Sequence, residues 1–251
     1  MAKQRHLTRA PVAEAVVDIR TALPKDFDTT SLSQLPSEIA ARFAQSEALK
    51  TYSGSFEYDS KLQCAKAEAI DGGVVGHIFK TADATKVLQF RNDGFTFSKL
   101  KPYEDWARLR DEALDLWRVY VRNAKPESVS RVALRYINHL SIPFAGDRLD
   151  FDEYLTASPK VPGDLPQGIV SFFYRVVLPE PSIGGAAVIH QALESIVDPK
   201  IVTVILDIDV FIQRDFEPDS DKIWQALEQL HLFKNDIFFA YITEKTAELF
   251  K

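Results

Sequence analysis

The sequence predicts an α+β protein of two similar halves, and three observations lead there. Short β-rich runs broken by turn residues fill residues 52–100 and 169–211, the pattern of strands that pair by hairpins into antiparallel sheet. Two long amphipathic segments, 103–123 and 219–232, close the two sets of strands and read as helices covering one sheet face. An internal echo ties the sets together. Ala15-Val16-Val17-Asp18-Ile19-Arg20 is answered in outline by Ala133-Leu134-Arg135-Tyr136-Ile137-Asn138, and Trp106 and Leu109 by Trp224 and Leu227. The plan of strand, helix, meander and long helix is thus expected twice, in residues 1–126 and 127–251. The halves are expected to fuse into one curved sheet with the helices on one face.

Each element has its own justification. Residues 11–20 alternate, with Ala13, Ala15, Val17 and Ile19 on one face and Glu14, Val16, Asp18 and Arg20 on the other, until Pro24 ends the run. Residues 31–45 space Leu32, Leu35, Ile39 and Phe43 helically, behind capping candidates Thr29, Thr30 and Ser31. Turns are expected at Asp59-Ser60, Asp71-Gly72-Gly73, Asp83-Ala84 and Asn92-Asp93-Gly94, the last being the sharpest hairpin signal. In 103–123, Trp106, Leu109, Ala113, Leu116, Trp117 and Tyr120 form an apolar stripe. A long strand at 128–142 opens the second half, followed by a short helix at 150–155 and a Pro- and Gly-bearing loop at 157–168. Strands follow at 169–178, 186–195 and 200–211, with Asp198-Pro199 as the last turn. The helix at 219–232, capped by Asp219 or Ser220, turns Trp224, Leu227 and Leu230 inward, and 235–251 continues it after a break or forms a terminal helix.

Composition excludes several function classes. A chain of 251 residues that is 46% hydrophobic has ample material for a packed core. Its net charge of −6 gives no basic footprint and disfavours nucleic acid as a partner. No apolar run approaches the ~20 residues that span a bilayer, so no membrane association is expected. The polar Met1-Ala2-Lys3-Gln4-Arg5-His6 start is not that of a signal peptide, and the expected location is cytoplasmic. One cysteine, Cys64, permits no internal disulfide and reads as a packing residue. His6, His77, His139, His190 and His231 form no ligand-spaced pair, so neither metal nor cofactor is expected. Asp71-Gly72-Gly73 and Gly184-Gly185 lack phosphate-loop spacing, and no G-x-S-x-G elbow occurs. No catalytic constellation stands out.

Three segments in order carry a family resemblance. They are Ala10-Pro11-Val12-Ala13-Glu14-Ala15-Val16-Val17-Asp18-Ile19-Arg20, then Gly94-Phe95-Thr96-Phe97-Ser98 with Pro102-Tyr103-Glu104-Asp105-Trp106, then Arg131-Val132-Ala133-Leu134-Arg135-Tyr136-Ile137-Asn138. Together they resemble a sporadically distributed bacterial protein family of unknown function, along nearly the whole chain. The resemblance implies a bacterial, single-module protein. A patchy distribution suggests an accessory or defence-linked role, and the family brings no catalytic residues.

The oddest chemistry lies in residues 131–138. Val132, Leu134, Tyr136 and Asn138 share one face, and Ala133, Arg135, Ile137 and His139 the other. Asn138 and Arg135 both sit among apolar neighbours, and buried polar groups need partners. With Arg20 and Glu14 nearby, Arg135, Asn138 and Tyr136 form a candidate anion-binding cluster at the seam between halves. The alternative is a structural ion pair of Arg135 with Asp18 or Glu14. Asp207 and Asp209 point one way along a strand and read as a solvated face. His139 and His190 are candidates to meet across the sheet. Phe172, Phe173, Tyr174 and Arg175, with Phe238, Phe239 and Tyr241, suggest an aromatic-lined pocket or interface. Two functions follow. The first is a non-catalytic module that binds a protein partner, or a second copy of itself, through the sheet face or seam. The second is a sensor or enzyme holding a small anionic ligand in a pocket between sheet and long helix.

Overall fold

The computed structural model describes residues 1–59, 64–144, 149–194 and 200–251, and the side chains of all of these except 55–59 and 64–70. Nine strands form a single antiparallel sheet. They are β1 (Val12–Ala22), β2 (Gln45–Asp59), β3 (Cys64–Lys80), β4 (Lys86–Arg91), β5 (Gly94–Leu100), β6 (Ser128–Pro143), β7 (Phe173–Glu180), β8 (Gly185–Leu193) and β9 (Ile201–Phe216), in the order β2-β3-β4-β5-β1-β6-β9-β8-β7. The expected α+β class holds in this form. The two strands of the echo lie side by side at the centre, with Val17 opposite Leu134 and Asp18 opposite Ala133.

Alternation then decides which side chains are buried. Ala15, Val17 and Ile19 of β1, Phe95 and Phe97 of β5, Val132, Leu134 and Tyr136 of β6, and Ile208, Val210 and Ile212 of β9 all project to one face, and all are buried. The long helices α2 (Trp106–Ala124) and α3 (Lys222–Tyr241) cover that face. Trp117 and Tyr120 of α2 meet Phe95 edge-on or tilted. The Tyr120 hydroxyl donates to the Arg91 carbonyl (2.9 Å) and accepts from Thr21 (2.9 Å), so its one polar atom is satisfied inside the core. Truncating a ring such as Phe95 to alanine would cost about 3–5 kcal/mol. Among the described residues no helix covers the opposite face. The hairpin at Asn92-Asp93 stands as expected. A Cβ at Gly94 would lie 2.3 Å from the Ile19 carbonyl oxygen, so only glycine lets β5 approach β1 there.

Several expectations need correction. Residues 31–45 are not one helix. Asp28 caps a 3-10 turn at Thr29–Ser33, Pro36 interrupts, α1 is only Ser37–Arg42, and Gln45 already belongs to β2. Asp71-Gly72-Gly73 is not a turn but an irregularity inside β3, where Gly73 sits at φ +82° and donates to Asp71 (2.8 Å). Residues 150–155 form a 3-10 turn, Phe151–Glu153, capped by Asp150. β7 begins at Phe173 and β9 runs on to Phe216. α3 continues unbroken through Asn235 to Tyr241, and α4 (Glu244–Glu248) follows. The start of α3 is held by Ser220, whose hydroxyl accepts from the Lys222 amide (3.2 Å). The turns at Asp59-Ser60 and Asp198-Pro199 and the packing of the Cys64 side chain lie outside the described residues. No helix among the described residues is long and apolar enough to cross a membrane.

Candidate functional site

The cluster expected at the seam divides across the sheet. Glu14, Arg20 and Arg135 line a hollow of about 540 Å³ on the open face, whereas Asn138 lines a cavity of about 560 Å³ on the helix face. Tyr136, fully buried, lies beneath that second cavity. Alternation separates them, since neighbours on a strand cannot share a face.

On the open face the three aspartates are paired, and Glu14 alone of the hollow's carboxylates makes no ion pair among the described residues. Asp18 accepts from Arg20 (3.0 Å), Arg131 (3.0 Å) and Thr96 (2.9 Å). Arg131 also reaches Asp209 (3.0 Å) and lies over the Phe211 ring. Arg135 grips Asp207 with two bonds, 2.8 and 2.7 Å, and His190 approaches the same carboxylate at 3.4 Å. The ion pair expected for Arg135 therefore exists, with Asp207 as partner instead of Asp18 or Glu14. Asp207 and Asp209 are not a solvated face but the acidic half of this lattice. Burial raises the Asp209 carboxyl, while Arg131 and Arg135 pull it back. His139 sits 3.7 Å from Glu194 and does not meet His190. No group of His, Cys, Asp and Glu able to hold a metal occurs among the described residues.

The helix-face cavity differs. Its walls come from Val12 of β1 and Pro11 before it, Asn138 of β6, the start of α2, and the third to fifth turns of α3; the segment Gln4–Leu7 crosses its mouth. That segment is tied down before, within and after its span, the Arg9 amide donating to the Phe250 carbonyl (3.1 Å) on the far side. The Ala2 amide donates to the Phe239 and Ile242 carbonyls, and Arg5 pairs with Glu244 (2.8 Å) and Glu248 (3.1 Å). Asp105 caps α2 by accepting from the Arg108 amide (2.8 Å). Trp106 then stacks flat on His231 of α3, centroids 4.9 Å apart, and its indole donates to Glu228 (2.9 Å), which also accepts from Arg110. The two long helices are thereby clamped over the cavity.

Lys234 lies at the bottom. It falls on the apolar stripe of α3, four residues after Leu230 and seven after Leu227, so the helix itself carries it into the core. Only 8% of the residue is exposed. Its Nζ donates to Asn235 Oδ1 (2.6 Å) and sits 3.8 Å from the centroid of the Tyr136 ring. Among the described residues no carboxylate lies within ion-pair distance of it. Burial accordingly pushes the Lys234 amine down to about 7. Burial, helped by the Lys234 charge, pushes the His231 imidazole down to about 4, and its Nδ1 is buried without a partner. The Tyr103 and Tyr136 hydroxyls are 3.1 Å apart, and burial drives Tyr103 up to about 12 and Tyr136 well above its ordinary value. Asn138 donates to the Leu206 carbonyl (2.9 Å) and the Tyr136 carbonyl (3.2 Å), which answers its burial on the apolar face.

Of the expected site residues, Asn138 thus lines this cavity, and Tyr136 lies behind its wall against Lys234 and Tyr103. Sequence reasoning missed Lys234, His231, Tyr103 and Trp106 as site residues. A signal for Lys234 was present, a lysine at helical spacing from Leu227 and Leu230, but a helix ended at 232 leaves it outside the stripe. Of the aromatics, Phe238 and Phe239 line the cavity, whereas Phe173 and Tyr174 are exposed in β7. Comparison with protein-family models and with curated proteins gives no match for this chain.

Proposed function

We propose that this protein holds a small anionic molecule in the cavity between sheet and helices, with the Lys234 ammonium as the group that pairs its charge. One observation carries the reading: a lysine buried in a cavity, with donor capacity to spare and, among the described residues, no carboxylate within ion-pair distance, though Glu104 and Asp105 line the same cavity. A buried cation without a counter-charge costs several kcal/mol unless a partner arrives or the proton leaves. A ligand carboxylate or phosphate would supply that partner. The volume of about 560 Å³ suits a metabolite-sized molecule. Tyr103 and Asn235 stand near enough to orient it, and Trp106 and Phe238 offer apolar wall.

A thermal-shift panel of acetate, succinate, citrate, inorganic phosphate and a nucleoside monophosphate tests this at pH 6, where the amine is charged. A binder at 100 times its dissociation constant adds about 2.7 kcal/mol, roughly 5–10 °C for a chain of this length. The expected result is a shift with at least one compound that Lys234→Met abolishes. No shift with any, or equal shifts in both proteins, would overturn the reading.

Three finer readings accompany it. The order of strands supports a duplication. From the centre outward the first half runs β1, β5, β4, β3, β2 and the second β6, β9, β8, β7, so each half puts its first strand innermost and its last strand next to it, and the first half carries one strand more. A bacterial accessory or defence-linked setting rests on the family resemblance alone. A protein partner, or a second copy, is favoured by one separate feature, the exposed edge at β7.

A further inference from the structure

We infer that β7 is a self-association edge, through which two copies of this chain join their sheets antiparallel about a two-fold axis centred on Val176. This does not rest on the cavity.

The two edges of the sheet are unlike. β2, at one end, carries Gln45, Ser46, Glu47, Lys50 and Thr51, with Glu47 and Lys50 engaged by Lys80 and Asp71. Such an edge resists further pairing. β7, at the other end, reads Phe-Tyr-Arg-Val-Val-Leu-Pro-Glu, and every residue from Phe173 to Pro179 is exposed. Phe173, Tyr174, Val176, Val177 and Leu178 account for five of the twelve exposed large hydrophobic side chains among the described residues. They lie on both faces of the strand, so neither face is finished by the described residues. An exposed apolar edge with free backbone groups is a template for another strand.

The backbone says which strand fits. The Leu193 amide donates to the Phe172 carbonyl (3.2 Å), and these residues are directly opposite in the β7–β8 register. Antiparallel bonding alternates, so Tyr174, Val176 and Leu178 bond to β8, while Phe173, Arg175, Val177 and Pro179 turn their backbone groups outward. Pro179, without an N–H, falls where β8 asks nothing of it. Outward residues must pair with outward residues, which limits how a second β7 can dock. An axis at Arg175 would set two guanidinium groups face to face. An axis at Val177 would place Phe173 opposite Pro181, whose carbonyl already accepts from the Gly184 amide. An axis at Val176 pairs every outward N–H: Phe173 N–H meets the Pro179 carbonyl of the other copy, and Arg175 and Val177 exchange both bonds. Proline donates nothing back, so the Phe173 carbonyl at each end of the joint is left to solvent. The side chains agree, with Val176 against its own image and Tyr174 against Leu178. A second copy thus satisfies every outward N–H of this edge.

The test is light scattering on the intact chain with two variants. Wild type is expected at twice the chain mass of 28.3 kDa. Val177→Pro removes an outward N–H and no bond to β8, and should halve that mass while leaving the far-ultraviolet circular dichroism unchanged. In a Cys64→Ser background, Val176→Cys should cross-link to its image on mild oxidation, since the axis brings those Cα atoms within disulfide range. Val177→Cys should not, because two-residue stagger parts its copies by more than ~7 Å. A wild-type monomer at every concentration, a dimer indifferent to Val177→Pro, or cross-linking at 177 instead of 176 would each overturn the proposal.

Discussion

The two sides of the sheet hold hollows of nearly equal volume, about 540 Å³ on the open face and about 560 Å³ under the helices, and they treat charge in opposite ways. On the open face Asp18, Asp207 and Asp209 are shared among Arg20, Arg131 and Arg135, so each acid lies against a base. Under the helices Lys234 faces an amide oxygen and an aromatic ring. A satisfied lattice has little left to offer a ligand and chiefly fixes register between strands. An unsatisfied cation has much to offer. The difference teaches that the density of charged residues does not mark the site; the missing partner does.

Breaking the lattice should have the largest effect. Arg131→Met strips a partner from both Asp18 and Asp209, whose side chains are only 14% and 27% exposed. Chemical denaturation should show a loss of about 2–4 kcal/mol. Lys234→Met should do the reverse. It removes a buried charge that has no counter-ion and keeps the shape of the stem, so stability at pH 6 should rise by about 1–3 kcal/mol. Opposite signs from two Arg/Lys→Met changes would sharpen the contrast, and equal losses would break it.

The pH dependence comes next. The native Lys234 amine titrates near 7 and the unfolded one near its ordinary 10.5, so between these values the unfolded chain holds a proton that the native chain lacks. Stability should therefore climb with pH across that window, by up to ~1.4 kcal/mol per unit, and Lys234→Met should flatten the climb. His231 adds a similar rise between about 4 and 6.5. The smallest effect belongs to Arg20→Ala at the rim, where the arginine is 35% exposed and Arg131 still holds Asp18. Its cost should stay below about 1 kcal/mol and shrink further with added salt.

Much of this was legible in the sequence. Strict alternation in residues 12–20 and 131–138 assigns β1 and β6 and the face of each side chain, because one face had to be buried. The stripe of α2 from Trp106 to Tyr120 is equally plain. Residues 31–45 mislead because their apolar spacing fits a helix while Pro36 breaks it, and the helix-forming residues after Phe43 are taken into β2 by pairing with β3. Gly72-Gly73 mislead because glycines serve an irregular strand as readily as a turn. The site was half legible. Asn138 and Tyr136 stand out as polar groups on an apolar face, and Lys234 obeys the same rule on α3. What no spacing reveals is that Trp106 stacks on His231, or that Arg135 reaches Asp207. Those contacts depend on how α2 crosses α3 and on β9 lying beside β6, which local pattern does not encode.

The most direct measurement is the titration of the Lys234 amine itself, by carbon-13 NMR of selectively labelled lysine, with Lys234→Met assigning the resonance. The expected result is a midpoint near 7 in the protein alone and a higher one when a binding anion is present, because a bound negative charge favours the protonated amine. A midpoint at the ordinary lysine value in the protein alone would contradict the central claim, since it would mean that water or a carboxylate already serves as the partner this cavity lacks.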